Sequence, residues 1–430
     1  MKRIAYGGRD WDRWLARLPR SSAPRSPVLR ATERILRAVR TEGDRALVRL
    51  TARLDGVRLT PARLRVKPRE IHALAARADR PLVEALRHMA RRIEAFHRQQ
   101  LQAGFRTELP DGSVLEEVVQ PLASAGLYVP GGAGAYPSSV LMSAIPARVA
   151  GVGRIVVATP PRTLEANPAV AAALEIAGVV DDVFRVGGAQ AVAALAYGTG
   201  SVPAVDRIVG PGNAYVTAAK RLVRGRVEID SEAGPSEVAI LADDSADAGW
   251  VAADLLAQAE HGSGDEVAVL VTWSLDLAEE VERLVAEGVR TVANASAARR
   301  ALARHGAVIL VKGVEDGVAA VNALAPEHVE VVTRRAERIA RRIVGSAVFV
   351  GPFSPVAVGD YGVGPNHVLP TGGAARFASP LSVRDFQRRQ SVVRMTEAGL
   401  ARVTEDIVRV AVAEGFRGHA QSVLTRFEGE

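Results

Sequence analysis

The chain has 430 residues, 48% hydrophobic and 24% charged, with a formal charge of +7. That length and balance imply at least two domains with large cores, and the lack of cysteine excludes disulfides, thiolate metal sites and thiol nucleophiles. Of 55 basic residues only Lys2, Lys67, Lys220 and Lys312 are lysine; the arginines alternate with acids on helical patterns, without a basic tail or interleaved aromatics, which disfavours nucleic acid as a partner.

Met1 to Arg20 mixes Arg and Asp and lacks an apolar signal core. No run reaches the roughly 18 unbroken apolar residues of a membrane span, so no membrane partner is expected and the expected compartment is the cytoplasm. From Ser26 to about Gln102 the apolar residues recur at helical spacing, broken between Thr51 and Arg65. His72, His88 and His97 read as surface or helix-face residues. Pro110-Asp111-Gly112 marks a turn between short strand-like runs.

Four strand-then-helix units follow: Ala125–Val129 into Ser138 onward, Arg154–Ala158 into Pro168 onward, Asp182–Val186 into Ala189 onward, and Asp206–Val209 into Ala214 onward. This alternation implies a parallel sheet. Three of the turns are glycine-rich: Pro130-Gly-Gly-Ala-Gly134, Gly187-Gly-Ala-Gln190 and Gly210-Pro-Gly-Asn213. Such turns let helix N-terminal amides approach a pyrophosphate, but they equally serve tight strand-helix connections, and G-x-G-x-x-G itself is absent. A second series starts at Glu237–Leu241 and continues through Glu266–Thr272, a helix Leu275–Glu287, Ala307–Val311, a helix Val318–Leu324, Val329–Val332 and a helix ending near Val344. Beyond Phe349 the chain turns loop-rich and ends in a helix, Thr404–Glu414, and a tail through His419.

Between Asp243-Asp244-Ser245, any of which could cap it, and Gly262 lies a helix that carries Gln258 and His261 in its last turn. At i and i+3 an amide oxygen and an imidazole share a face and can supply two metal ligands; a helix-end His interacting with the dipole is the plainer alternative. Pro326 turns the chain out of helix before Glu327 and His328 and places them at the mouth of a strand. There they suit a general acid and base pair, or are two solvated loop residues. Asp360 adds an oxygen ligand on a glycine-flanked turn. His419 can complete a set of one amide, one carboxylate and two imidazoles, which fits Zn²⁺ or a neighbouring divalent ion.

Leu127-Tyr-Val-Pro-Gly-Gly132 with Tyr136-Pro-Ser-Ser-Val-Leu-Met142, Gly187-Gly-Ala-Gln-Ala191, Val209-Gly-Pro-Gly-Asn-Ala-Tyr-Val216, Ala233-Gly-Pro-Ser-Glu237, Gln258-Ala-Glu-His261, Ala325-Pro-Glu-His328, Gly359-Asp-Tyr361 and Asn366-His-Val-Leu-Pro-Thr371 occur in unbroken order. Together they resemble the histidinol dehydrogenases. The resemblance implies a zinc-dependent homodimer, with one Zn²⁺ per subunit, that oxidises L-histidinol to L-histidine with two NAD⁺. It implies Gln258, His261, Asp360 and His419 as metal ligands and Glu327 and His328 as the catalytic pair. Ser236, His367 and Glu414 would face the substrate with the ligands and His328, and Tyr128, Gln190 and Asn213 would line the NAD site.

The fold implied is α/β: two open, Rossmann-like parallel-sheet domains with an N-terminal helical segment and a C-terminal helical arm, in an intertwined homodimer with shared active sites. The expected boundaries are 1–25 for an N-terminal arm, 26–122 with 236–380 for the first α/β domain, 123–235 for the NAD-side domain and 381–430 for the arm. Gly262-Ser263 after His261, and Pro380 and Arg384 around Leu381-Ser-Val, depart from the family pattern and bear only on local loop shape. Without cysteine, the second hydride must leave a hydrated aldehyde. Glu327 is therefore expected to activate water, and His328 to take the alcohol proton. A zinc metallohydrolase and a basic RNA-binding protein are the alternatives, favoured respectively by an absence of NAD binding and by a steep salt dependence of RNA affinity.

Overall fold

Six parallel strands, Lys2–Ala5, Ala307–Leu310, Val267–Thr272, Glu237–Ala242, His328–Val332 and Ala347–Val350, lie side by side in that order. They are seen in a computed structural model that describes residues 1–20, 26–131, 136–232 and 234–428. The central strands are apolar apart from Glu237, Thr272, His328 and Glu330, and are buried throughout in Glu237–Ala242 and Val267–Thr272, as a parallel sheet covered on both faces requires. Trp11, Trp14, Val318, Val321 and Leu324 cover one face. Val251, Leu255, Val281 and Leu302 cover the other. Residues expected to form an N-terminal arm thus supply an edge strand and two buried indoles.

A second six-stranded sheet runs Arg65–Val66, Val183–Arg185, Arg154–Thr159, Ser124–Tyr128, Arg207–Val209, Glu228–Ile229. Only the two-residue edge strand Arg65–Val66 is antiparallel. The four predicted strand-helix units are all present, with their helices at Pro137–Ala150, Pro168–Ala177, Gly188–Tyr197 and Ala214–Val223. Here the expected division of the chain needs correcting. The helices between Ser26 and Arg98 pack against the helices that cover this sheet, Ile35, Leu36, Val39 and Leu47 in one apolar cluster with Tyr128 and Phe184, and Ile71, Met89 and Ile93 in another with Leu127 and Leu141. They therefore do not belong with 236–380. Their apolar stripes fit the Ala-rich helices that cover this sheet, and sequence spacing gives no hint of which layer a stripe will meet.

Two further expectations change. His97 does lie on a helix face, but the face is the buried one; it is fully enclosed, with Nδ1 2.6 Å from Gln100 Oε1 and Nε2 3.4 Å from the Asn366 amide nitrogen. Asp360, expected on a glycine-flanked turn, sits in the six-residue helix Val356–Tyr361.

Residues 101–121 and 387–430 form a separate compact unit. It contains the antiparallel sheet Gln387–Arg394, Val114–Pro121, Phe105–Glu108 and the helices Glu397–Ala413 and Arg417–Leu424. The first of these helices is capped by Thr396, whose side chain accepts from the Gly399 amide at 3.0 Å. The predicted turn at Pro110-Asp111-Gly112 joins two of its strands. Among the described residues no helix is long and apolar enough to cross a membrane.

Candidate active site

The helix that ends at the predicted metal ligands runs Ala248–Ala259, and Asp247, not any of Asp243, Asp244 and Ser245, caps it by accepting from the Trp250 amide at 3.0 Å. The earlier acids are engaged elsewhere: Asp243 accepts from the Arg334 amide at 3.0 Å, and Asp244 pairs with the Arg334 side chain. The helix closes before His261, and Gly262 takes the left-handed conformation (φ +110°) that turns the chain away. His261 Nδ1 lies 3.1 Å from the Gln258 carbonyl, to which it donates, so the free lone pair is on Nε2. Gln258 is buried at 3% exposure, and neither its Oε1 nor its Nε2 has a hydrogen-bond partner. An unsatisfied buried amide is costly, and a metal ion at Oε1 would relieve it. Gly262-Ser263, one of the departures from the family pattern, is held locally, because Glu266 accepts from the Ser263 and Gly264 amides at 2.7 and 2.8 Å.

Ala325, which ends the helix Val314–Leu324, has φ +43°, the only positive value at a non-glycine among the described residues. Pro326 bars it from the right-handed helical region, and the strained step, worth roughly 1–2 kcal/mol, swings Glu327 and His328 inward. Both are buried, not solvated. Glu327 accepts from the Glu237 amide at 3.0 Å and is hydrogen-bonded to Ser236. Burial, helped by the neighbouring Glu237 and Asp360 carboxylates, pushes its pKa well above the ordinary range. His328 Nδ1 donates to the Glu237 carbonyl at 3.1 Å, leaving Nε2 as the acceptor, 3.9 Å from Asp360 Oδ1. Burial lowers the pKa of His328 to about 4, so the ring is neutral and able to take a proton at neutral pH.

Asp360 is presented by its short helix, whose first amide, Val356, donates to buried Glu330 at 2.8 Å. Gly359 beside it is required: a Cβ there would come within 2.6 Å of the Phe349 ring, and that ring in turn lies 6.1 Å from His328. His367 Nδ1 donates to the Asp360 carbonyl at 3.0 Å. His261, Glu327, His328, Asp360, His367 and Ser236 all line one cavity of about 370 Å³. His328, Asp360 and His367 also border a larger one of about 920 Å³.

Tyr128, Gln190 and Asn213 line a third cavity, of about 720 Å³. The Tyr128 hydroxyl accepts from the Gly188 amide at 3.1 Å, and the Gln190 amide donates to Asp55 at 3.3 Å. Asn213 caps its helix, accepting from the Tyr215 and Val216 amides at 3.0 and 3.2 Å. Asn213 also lines the 370 Å³ cavity of Glu327 and His328, so one turn borders both spaces. The Gly132–Gly134 part of the first glycine turn, and Ala233, lie outside the described residues.

A sequence profile of the histidinol dehydrogenases matches residues 18–427. The chain belongs to the histidinol dehydrogenase family. It is 45% identical over 432 residues to the histidinol dehydrogenase of Syntrophotalea carbinolica, covering 100% of this chain and 99% of that one. It is 47% identical over 410 residues to that of Gluconobacter oxydans, with 95% of each chain covered. The crystal structure of histidinol dehydrogenase from Elizabethkingia anophelis superposes with a TM-score of 0.92 at 32% identity, covering 100% of this chain and 98% of that chain. The activity is that of an NAD-dependent oxidoreductase, which sets aside the metallohydrolase and RNA-binding alternatives.

Of the residues a histidinol dehydrogenase is expected to use, Glu414 and His419 are exposed members of the second unit, on or beside its last two helices. Among the described residues no three His, Asp or Glu side chains converge as a ready-made ion site. In the larger unit the expected set includes only two such residues, His261 and Asp360, beside the amide of Gln258. Sequence reading missed Lys220, Asp230, Glu237 and Glu330. Lys220 left a signal, since it falls four residues after buried Val216 on the apolar face of its helix. Glu237 and Glu330 left one too, as acids inside strands of otherwise apolar residues; burial raises their pKa values to about 7 and about 8.

Proposed function

We propose that the protein is a zinc-dependent, homodimeric histidinol dehydrogenase that oxidises L-histidinol through histidinaldehyde to L-histidine with two NAD⁺, the last step of histidine biosynthesis. The observation that carries the reading is the buried pair of Glu327, a carboxyl with high proton affinity, and His328, a neutral imidazole, in a cavity bordered by the Asn213 turn.

The dinucleotide would lie along Tyr128, Gln190 and Asn213, its pyrophosphate facing helix N-terminal amides. His328 Nε2 takes the hydroxyl proton as the first hydride leaves the alcohol carbon, which yields the aldehyde. Glu327 takes a proton from water as the oxygen adds to the aldehyde carbon. His328, having released its first proton to solvent, takes the remaining hydroxyl proton of the resulting diol mono-anion as the second hydride leaves, and the product is a carboxylate. Each base can act near neutral pH, because burial keeps the imidazole uncharged and makes the carboxylate a stronger base than usual. Gln258, His261 and Asp360, with His419 of the partner subunit, would hold the zinc, and Glu414 of the partner subunit would face the substrate with Ser236 and His367. When bound, the metal supplies a template for the substrate's imidazole and amine. The deciding measurement is NADH formed per histidinol consumed, expected to be two; a ratio of one, or no NADH, overturns the proposal.

A further inference from the structure

Two charged side chains in the wall of the catalytic cavity have no part in the reaction just described. Lys220 and Asp230 are in direct contact, with side-chain exposures of only 2% and 4%. Lys220 Nζ donates to the Gly210 carbonyl at 3.0 Å, and Asp230 Oδ2 accepts from the Gly210 amide at 2.8 Å. Both backbone polar groups of one glycine are thus held by one ion pair. That glycine has φ +119°, and a Cβ on it would come within 2.1 Å of the Tyr128 carbonyl oxygen. The Gly210 turn is therefore pressed against the strand end that carries Tyr128, and three residues later it delivers Asn213.

A buried ion pair is a poor stabiliser beside well-packed apolar side chains of the same volume, because both ions must be stripped of water. What it supplies is direction: an ammonium with three donors and a carboxylate with two acceptors fix a backbone that apolar packing would leave free to slide. The geometry points to Lys220 and Asp230 as positioning residues that hold the Val209–Asn213 turn in register, so that a dinucleotide at Tyr128 and Asn213 meets the alcohol carbon at His328. This inference rests on the proposed NAD-dependent oxidation of histidinol.

The test uses the full-length enzyme and the variant Lys220→Met/Asp230→Asn, which removes both charges together and leaves no lone buried ion. KM for NAD⁺ is expected to rise, and kcat to fall, by about tenfold or more, while histidinol binding measured without NAD⁺ changes by less than about twofold. Amide hydrogen exchange over residues 210–216, measured without any ligand, is expected to accelerate by about tenfold or more, with the Glu237–Ala242 strand unchanged. NAD⁺ kinetics and exchange both within about twofold of wild type would overturn the inference. So would an equal loss of histidinol and NAD⁺ binding, the sign of general damage to the cavity. If the double variant does not fold, Asp230→Asn, which keeps an acceptor for the Gly210 amide, is read by the same criteria. If the wild-type enzyme forms no NADH from histidinol, it is the activity reading that fails, and the exchange data alone decide whether the pair holds the turn.

Discussion

Replacing Glu327 by Gln separates the two oxidation steps. The carboxyl is buried, and burial raises its pKa well above the ordinary range, which makes its carboxylate a stronger base than usual. The amide has the shape of the carboxyl group, and its oxygen can still accept from the Glu237 amide, which lies 3.0 Å from Glu327 Oε2 in the wild type. The stability change should stay within about 1 kcal/mol. What is lost is a proton acceptor for water. A positioned general base contributes roughly a hundredfold to ten-thousandfold, or about 2.7–5.4 kcal/mol of barrier, and that loss should fall on aldehyde oxidation. The first hydride transfer, served by His328, should change far less. In a single-turnover NADH trace this appears as a first phase near the wild-type rate, a second slowed by orders of magnitude, and aldehyde held on the enzyme between them. His328→Asn should slow both phases. If Glu327→Gln slows the first phase as severely as the second, the division of labour is wrong and the pair acts as one unit.

His261→Ala should mimic chelation, losing bound metal and turnover together while circular dichroism stays unchanged; full metal content at the wild-type rate would remove His261 from the ligand set. Mixing inactive His261→Ala and inactive His419→Ala subunits should restore about a quarter of the wild-type rate after random reassortment, since half the dimers then have one intact site of two; no recovery in verified mixed dimers would mean that each site is built from one chain. Burial raises the Glu330 pKa from 4.5 to about 8, so its stabilising contribution is complete below about 4.5 and is lost as pH rises toward 8. Glu330→Gln should therefore flatten the decline in the unfolding free energy measured by urea denaturation over that range, by on the order of a few kcal/mol at its alkaline end, and an unchanged slope would refute the assignment.

The two sheets were legible because their strands are short apolar runs alternating with helices, a pattern set by burial on both faces. What escaped was every element whose place depends on a distant partner. Lys2–Ala5 is mostly exposed and partly charged, and becomes a strand only because Ala307–Leu310 offers an open edge. Gln387–Arg394 has no apolar alternation, and nothing in its composition points to Val114–Pro121. The six-residue helix bearing Asp360 includes a glycine and would not persist alone, since so short a helix does not repay its nucleation; Glu330, satisfying its first amide, comes from a strand 26 residues away. The candidate site residues stood out in the sequence for a different reason. Glu327, His328, Gln258 and His261 sit where a local signal, Pro326 or Gly262, ends a helix, and chain punctuation is visible without the fold.

The position of that punctuation explains the site. In an open parallel sheet ligands usually gather beyond the carboxyl ends of the strands, and the glycine turns after Tyr128, Arg185 and Val209 follow that rule. The groups proposed for catalysis, metal and substrate do the opposite. Ser236 precedes the strand Glu237–Ala242, Glu327 precedes His328–Val332, and His261 lies between its helix and the strand Val267–Thr272, all at amino ends. Amino ends of strands are where helices arrive carboxyl end first, so their dipoles leave partial negative charge there. The carboxyl ends of the other sheet's strands begin helices and offer partial positive charge. The shared cavity around Asn213, Glu327 and His328 thus lies between a face suited to cations, where a divalent ion and the substrate's amine are proposed to bind, and a face suited to a pyrophosphate. Two sheets meeting amino end to carboxyl end can bring a cationic substrate and an anionic cofactor together, and the same sheets meeting at like ends could not.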